Sequence, residues 1–426
     1  MNVETIKMHT WLGGDSLELP EDFVLPDYSG HSIANLLPGI ARVLGATLPG
    51  MPPLDAEILD GWYGARRVVL LILDGVGYLR FKRFLEENPD SAWHEIISRG
   101  RMDVLTSVFP STTTNALTTF WTGRAPAEHG IMGFLLYLKR FGVVLNTITF
   151  SPWFEHGRRN VMEPYGLVPE EFVDYPAIGT VLGAQGVPVD VLTFHAYLSS
   201  CLSRIHTRGV RQVDSYLALS DFAVRLRNLV EKTSGDRNLI MAYWAPVDSL
   251  SHEYGSSGEI WDAEMRLMGT ALKEEFMDAL SEEAGRETLF VVTADHGMVD
   301  VEPEKTVVIS EHPELERLIS MPISWEARAA SIYPKCGKKK EVEEALGQLG
   351  DFTILDRKEI VEAGLLGARP PEKYEERIGD VVSLAGKGWA LLWQRLPKPL
   401  IGMHGGLHQE EMLVPLVSVP LSEAQA

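Results

Sequence analysis

The chain has 426 residues, 45% of them hydrophobic and 23% charged, enough for a large buried core with an added subdomain. Its 39 basic and 59 acidic residues leave a formal net charge of −20, which excludes tight binding to a nucleic-acid polymer by neutralisation of its backbone. If the substrate is anionic, local positive charge must be imported, and bound metal ions are one source.

In chain order, MNVETIKMHTWLGGDSLELP carries acids early and no apolar signal core, so no secretory leader is expected. Residues 1–60 are rich in Pro, Gly and Leu without a clear period and read as a wrapping extension. The core is expected over 61–300 and 401–426. Within it, four apolar runs read as buried, parallel strands: RRVVLLIL (66–73), VPVDVLTF (187–194), NLIMAYWA (238–245) and ETLFVVTA (287–294). The longest apolar run, VVLLIL, is too short to span a bilayer, so no membrane association is expected. Helical patterns lie between the runs: YLRFKRFLEENP, DSYLALSDFAVRLRNLVEKT, and the long GEIWDAEMRLMGTALKEEFMDALSEEAG, which ends at Gly285. From 301 to 400 the texture is richer in charge, with strand candidates at 304–309 and 328–333 and the helical stretch KKKEVEEALGQLG, which predicts an inserted α+β subdomain. Cys201 and Cys336 sit in no paired motif and read as free thiols of a reducing compartment, so a cytoplasmic location is expected.

Three runs lead directly into ligand-type residues. Asp74 follows the first, Asp248 with His252 follows the third, and Asp295-His296-Gly297 follows the fourth. In open α/β sheets, sites form beyond the carboxyl ends of strands, so these residues can converge. Alone, each has a plain alternative as a turn or exposed helix residue. Asp248 and His252, at i and i+4, share one face of a helical turn. Asp295 and His296 would point to opposite faces of a regular strand, and Gly297 permits the irregular end that lets both reach one ion. HGGLH at 404–408 adds His404. With the threonine run in FPSTTTNALTTFWTG (109–123), the candidates Asp74, Thr113, Asp248, His252, Asp295, His296 and His404 would make two adjoining metal sites, suited to zinc or, second, manganese. The run itself has two readings: helix capping, or a nucleophilic hydroxyl at a helix N-terminus that favours anions.

VVLLILDG, FPSTTTNALTTFWTGRAPAEHGIMG, YWAPVDSLSHEYG, VVTADHG and HGGLHQEEMLVPL, in this order, resemble the alkaline phosphatase superfamily, most closely its type I phosphodiesterase/nucleotide pyrophosphatase branch. The resemblance covers about 67–300 and 402–418. It implies an α/β, alkaline-phosphatase-like sandwich with a largely parallel central sheet flanked by helices. It also places the nucleophile three residues after the proline and nine before the threonine of the T-G pair; from Pro110 and Thr122 both counts give Thr113. By the same resemblance Asp248, His252 and His404 hold one divalent ion, and Asp74, Thr113, Asp295 and His296 the other. His404 is preferred to His408 because glycine follows it.

The implied activity is metal-dependent hydrolysis of phosphodiester or pyrophosphate bonds in nucleotide-like or other small phosphate esters, through a phosphothreonine intermediate. A phosphomonoesterase or phosphonate hydrolase on the same scaffold is the alternative, and a non-catalytic regulatory module that keeps the fold is another. The family asparagine that helps hold a phosphate oxygen is replaced at the matching position by Phe134. Asn115 is a substitute substrate-binding candidate, or simply a helix N-terminal residue. Arg124, Lys139, Arg140 and Arg158 are nearby cations, and the sulfatase signature is missing. His129 reads as a turn residue, His195 and His206 as structural or pocket residues, and Tyr243 and Trp244 as strand core.

Overall fold

The computed structural model describes residues 17–155 and 157–421. The four apolar runs form strands Arg67–Leu73, Val189–Phe194, Asn238–Trp244 and Thr288–Thr293. Gln212–Tyr216, Arg101–Thr106 and Leu413–Pro420 complete a seven-stranded sheet. By first residue, the order across it is 101, 413, 288, 67, 238, 189, 212. The five strands from 288 to 212 run parallel, and Leu413–Pro420 is antiparallel to both of its neighbours. All seven residues of Arg67–Leu73 are buried, as expected for a strand covered on both faces.

This topology brings distant segments to one edge. Leu73 is in register with Trp244, and Ile72 with Thr293, so the residues after these strands emerge side by side. The antiparallel Leu413–Pro420 starts at the same edge, opposite Thr106, where Arg101–Thr106 ends. Residues 74, 107–113, 245–252, 294–297 and 404–412 therefore enter and leave the sheet at one place.

A second seven-stranded sheet is antiparallel throughout. Its order is Phe352–Asp356, Val381–Ala385, Ala329–Ile332, Ser324–Trp325, Leu135–Leu138, Val143–Asn146, Ser151–Pro152. Strands from 324–385 thus pair with a meander at 135–152, through Trp325 opposite Leu135. The strand candidates in the 301–400 region appear at Thr306–Val308 and Ala329–Ile332, and KKKEVEEALGQLG holds the helix Lys339–Leu349.

The extension contains a helix, Ile33–Val43, begun by a capping box between Ser32 and Asn35. Residues 33–41 are all buried, and Pro38 lies inside the helix, so a stretch whose proline and glycine read as irregular chain is helical. Residues 1–16 of the extension lie outside the described part. Two helical patterns differ from expectation. DSY at 214–216 belongs to the strand Gln212–Tyr216, and the helix starts at Leu219, where the Asp221 carboxylate accepts the Ala218 amide (2.7 Å). The long pattern ending at Gly285 breaks into Glu259–Ala271, a π-helical turn Leu272–Met277, and a separate Glu282–Gly285. Ser281 starts the last piece by accepting the Ala284 amide. Cys201 and Cys336 are unpaired. No helix among the described residues is long and apolar enough to cross a membrane.

Candidate active site

Thr113 opens the helix Thr113–Thr122. Of the three consecutive threonines, only its hydroxyl is turned to a cavity. The Thr112 hydroxyl caps no helix amide and is instead donated to Glu326 Oε1 (2.6 Å). Thr114 is fully buried. Thr113 Oγ1 lies 3.0 Å from His296 Nε2 and 3.5 Å from Asp74 Oδ1.

Around it stand the side chains from the strand ends. His296 Nε2 is 3.4 Å from Asp74 Oδ1 and 3.5 Å from Asp295 Oδ2. His252 Nε2 is 3.3 Å, and His404 Nε2 3.7 Å, from Asp248 Oδ1. The His296 and His404 rings stack with centroids 3.8 Å apart, which joins the two sets. Asp248 and His252 occupy one face of the helix Pro246–Tyr254, as their spacing predicts. Gly75, at φ +76°, lets the strand end approach Asp248: a Cβ there would sit 3.0 Å from the Asp248 Cα. Gly297 has less room still, since a Cβ would meet Glu410 O at 2.0 Å.

Hydrogen bonds leave this cluster facing inward with lone pairs. His252 Nδ1 lies 2.7 Å from Gly402 O, His296 Nδ1 2.9 Å from Gly297 O, and His404 Nδ1 3.1 Å from Ser111 O. Carbonyls only accept, so each Nδ1 carries the proton and each Nε2 presents a lone pair to the site. Asp295 Oδ1 accepts the amides of Gly75 and His296, while Asp295 Oδ2 and Asp248 Oδ1 are buried without a hydrogen-bond donor. Tyr243 donates its hydroxyl to Asp74 Oδ2. Three imidazole lone pairs and two bare carboxylate oxygens in one buried place suit divalent cations. Asp248, His296 and His404 form one group whose donor atoms lie within 4.8 Å of one another, and Asp74, Asp295 and His296 form another.

Electrostatics agree with that fit. Burial, then the neighbouring Asp295 and Asp248, push the Asp74 carboxyl well above the usual range. Burial also raises Asp248, against the opposing pull of His252 and His296. The His404 imidazole is pushed well below its ordinary value by burial, then by His296 and His252. Like charges crowded this way favour uptake of a cation.

Other candidates are placed elsewhere. Asn115 is buried, donates Nδ2 to Pro110 O (2.8 Å), and does not line the cavity at Thr113. Its short reach to Pro110 holds the turn ahead of the helix. Arg124 pairs with Glu128 (3.1 Å) and Arg158 with Glu155 (3.1 Å). The cation that does line the cavity is Arg159, together with Tyr197 and, deeper, Leu117, Trp121 and Met241. His129 accepts the Ile131 amide at 3.1 Å and so fixes a turn. His206 lies under Trp121, with centroids 6.0 Å apart, and lines the cavity; His195 is exposed. His408 is 3.2 Å from Asp22, away from these groups.

A model of the family described as type I phosphodiesterase / nucleotide pyrophosphatase matches residues 68–407. The chain belongs to that family. This phosphodiesterase/pyrophosphatase-family hydrolase is 24% identical over 212 residues to human ectonucleotide pyrophosphatase/phosphodiesterase family member 5. That alignment spans 47% of this chain and 41% of the human protein, so the likeness covers less than half of its length. Among solved structures, murine ectonucleotide pyrophosphatase/phosphodiesterase 5, in an inactive form in complex with AMP, is similar with a TM-score of 0.61 at 21% identity. The match covers 83% of this chain and 87% of the murine one. Phosphonoacetate hydrolase from Sinorhizobium meliloti, in complex with phosphonoformate, gives a TM-score of 0.60 at 20% identity, covering 84% and 90%. These structural likenesses establish the fold.

Three site-lining residues had weak sequence signals. Tyr243 looks like one more aromatic of a buried strand, and Arg159 like a loop cation. Glu326 comes from the second sheet, over 200 residues from the threonine run. Its carboxyl accepts the Thr112 hydroxyl and the Phe134 amide (3.0 Å). Burial pushes its pKa from 4.5 up to about 8. The folded chain therefore favours the protonated acid: this contribution to stability is full below the ordinary carboxyl value and is lost as pH rises through about 8. In chelator-treated protein, the thermal midpoint should fall between about pH 5 and about pH 8 in the wild type and fall less in Glu326→Gln, which keeps the accepting oxygen. Parallel curves would show that Glu326 does not ionise there.

Proposed function

We propose that this hydrolase cleaves phosphodiester or pyrophosphate bonds of nucleotide-like or other small phosphate esters, with Thr113 as nucleophile. The observation that carries this reading is the single open hydroxyl of the threonine run, set within hydrogen-bond reach of His296 and beside two groups of cation-seeking donors. Thr113 gives its hydroxyl proton to solvent as Oγ1 forms a bond to phosphorus and the bond to the leaving oxygen breaks, and the departing oxyanion takes a proton from water. A water molecule then breaks the Thr113–phosphorus bond, releasing the monoester and returning the threonine hydroxyl.

Asp74, Thr113, Asp295 and His296 would hold one divalent ion, and Asp248, His252 and His404 a second. Zinc suits this mixture of nitrogen and oxygen donors first, manganese second; bound there, the pair would lower the pKa of the hydroxyl and of water and offset phosphoryl charge. Tyr243 fixes the Asp74 carboxylate, and the backbone carbonyls of Gly297, Gly402 and Ser111 fix the three imidazoles. Arg159, at the mouth of the cavity, is placed to meet an anionic substrate. The AMP complex of the murine relative supports a nucleotide-like retained arm.

The test is turnover of bis(4-nitrophenyl) phosphate against 4-nitrophenyl phosphate after chelation and after readdition of zinc or manganese. The diester should be hydrolysed faster, and chelation should abolish activity reversibly. Faster turnover of the monoester, or activity indifferent to chelation, would overturn the reading. Metal affinity should also rise with pH, because the raised Asp74 carboxyl must give up its proton to bind a cation. Competition with a metal-binding dye at two pH values measures it.

A further inference from the structure

A second cavity meets the candidate site at His252 and His404, not at Thr113. Its walls are Phe134 and Trp153 from the 135–152 meander and its flanks, and Leu391, Trp393 and Leu396 from the later segment, with Glu326 at the junction. Among the described residues no lysine or arginine lines it. The junction is a built feature. Trp325 holds φ at +72°, in the left-handed region that large side chains avoid, and is fully buried. Its indole Nε1 donates to Arg377 O (3.0 Å) and its ring stands edge-on to Phe109. That turn delivers Glu326 to Thr112 and Phe134.

We propose that this cavity receives the leaving alcohol of a phosphodiester, and that the chain selects an uncharged, apolar or aromatic leaving group over an anionic one. This rests on the reaction proposed above and narrows its substrate class. In-line displacement sets the departing oxygen opposite the attacking one. With Thr113 attacking from beside Asp74 and His296, the oxygen that leaves faces Asp248, His252 and His404, where the cavity opens. Thr113 releases its hydroxyl proton to solvent as the Thr113–phosphorus bond forms, the phosphorus–oxygen bond to the alcohol breaks, and the alkoxide is protonated by water. Aromatic walls favour a ring by apolar burial. A pyrophosphate leaving group would exchange water for a wall without cationic side chains and with a carboxyl at its edge.

The experiment holds the retained arm constant. Steady-state kcat/KM is measured in zinc- or manganese-loaded protein for the 4-nitrophenyl ester of thymidine 5′-monophosphate and for thymidine 5′-triphosphate. Both retain thymidylate; one releases nitrophenol, the other pyrophosphate. The aryl ester should be preferred, and Trp393→Ala should lower its kcat/KM by about tenfold or more while leaving the triphosphate nearly unchanged. Trp153→Ala, with the thermal midpoint as a folding check, is the second variant. The wild-type comparison stands without either. Preference for the triphosphate, or equal losses on both substrates in a folded variant, would overturn the leaving-group assignment while the reaction itself stands. No turnover of either thymidine ester, with turnover of 4-nitrophenyl phosphate alone, would overturn the proposed reaction and this assignment with it.

Discussion

Replacing Thr113 with alanine should lower diester turnover by at least about a thousandfold, with the fold intact. The hydroxyl is the only one of the run that faces the cavity, and its partners in the protein are His296 and Asp74. Losing those hydrogen bonds costs about 1 kcal/mol of stability, too little to unfold a chain of this size. Thr113→Ser keeps an oxygen nucleophile and should retain measurable activity. Thr114→Ala should cost little turnover, since that side chain is buried in the helix. Thr112→Val should lower activity less than Thr113→Ala, by releasing Glu326. Steady-state rates on bis(4-nitrophenyl) phosphate, with thermal midpoints for each variant, make the comparison. Undiminished turnover in Thr113→Ala would remove this residue from the nucleophile's role.

The second large effect is on stability. Arg328 and Glu411 are both fully buried and meet in two parallel bonds of 2.8 Å, Nε to Oε1 and Nη2 to Oε2. Arg328 Nη1 also donates to Gly386 O (3.1 Å) and Trp389 O (2.6 Å), and Glu411 Oε1 accepts the Gly406 amide (2.9 Å). Glu411→Ala leaves a buried guanidinium without its counter-charge, and should destabilise the protein by about 3–5 kcal/mol. Replacing both partners with apolar residues of similar volume, Arg328→Met with Glu411→Leu, should cost less than the single change, because no charge is stranded. Denaturant midpoints read both. A single variant within about 1 kcal/mol of wild type would show that the pair is not a stabilising tie.

The convergence of the acids was legible because it follows from the sheet itself. Parallel buried strands announce themselves as apolar runs, and whatever follows them must emerge at one edge, so Asp74, Asp248 and Asp295 could be placed together from the text of the chain. The i, i+4 spacing did the same for His252. The second sheet was not legible to that degree, because strands of two to five residues carry little periodicity and the pairing that joins its two parts, Trp325 with Leu135, links segments remote in sequence. Tyr243 hid near the end of a strand that runs apolar or aromatic from Leu239 to Trp244. Glu326 and the Arg328–Glu411 pair depend on contacts between those remote segments, which no local pattern encodes. The helix Ile33–Val43 was hidden by its composition: Pro38 and Gly39 sit inside it, and both residues ordinarily mark turns.

The shared antiparallel sheet has a practical corollary for engineering. Because Trp325 pairs with Leu135, grafting the 301–400 stretch from a cousin, or trimming it away, would strand the meander at 135–152 with a bare edge and empty the slot that Gly133 leaves for the indole. A workable chimera must move both pieces of chain together, and carry the residue that answers Arg328 along with them.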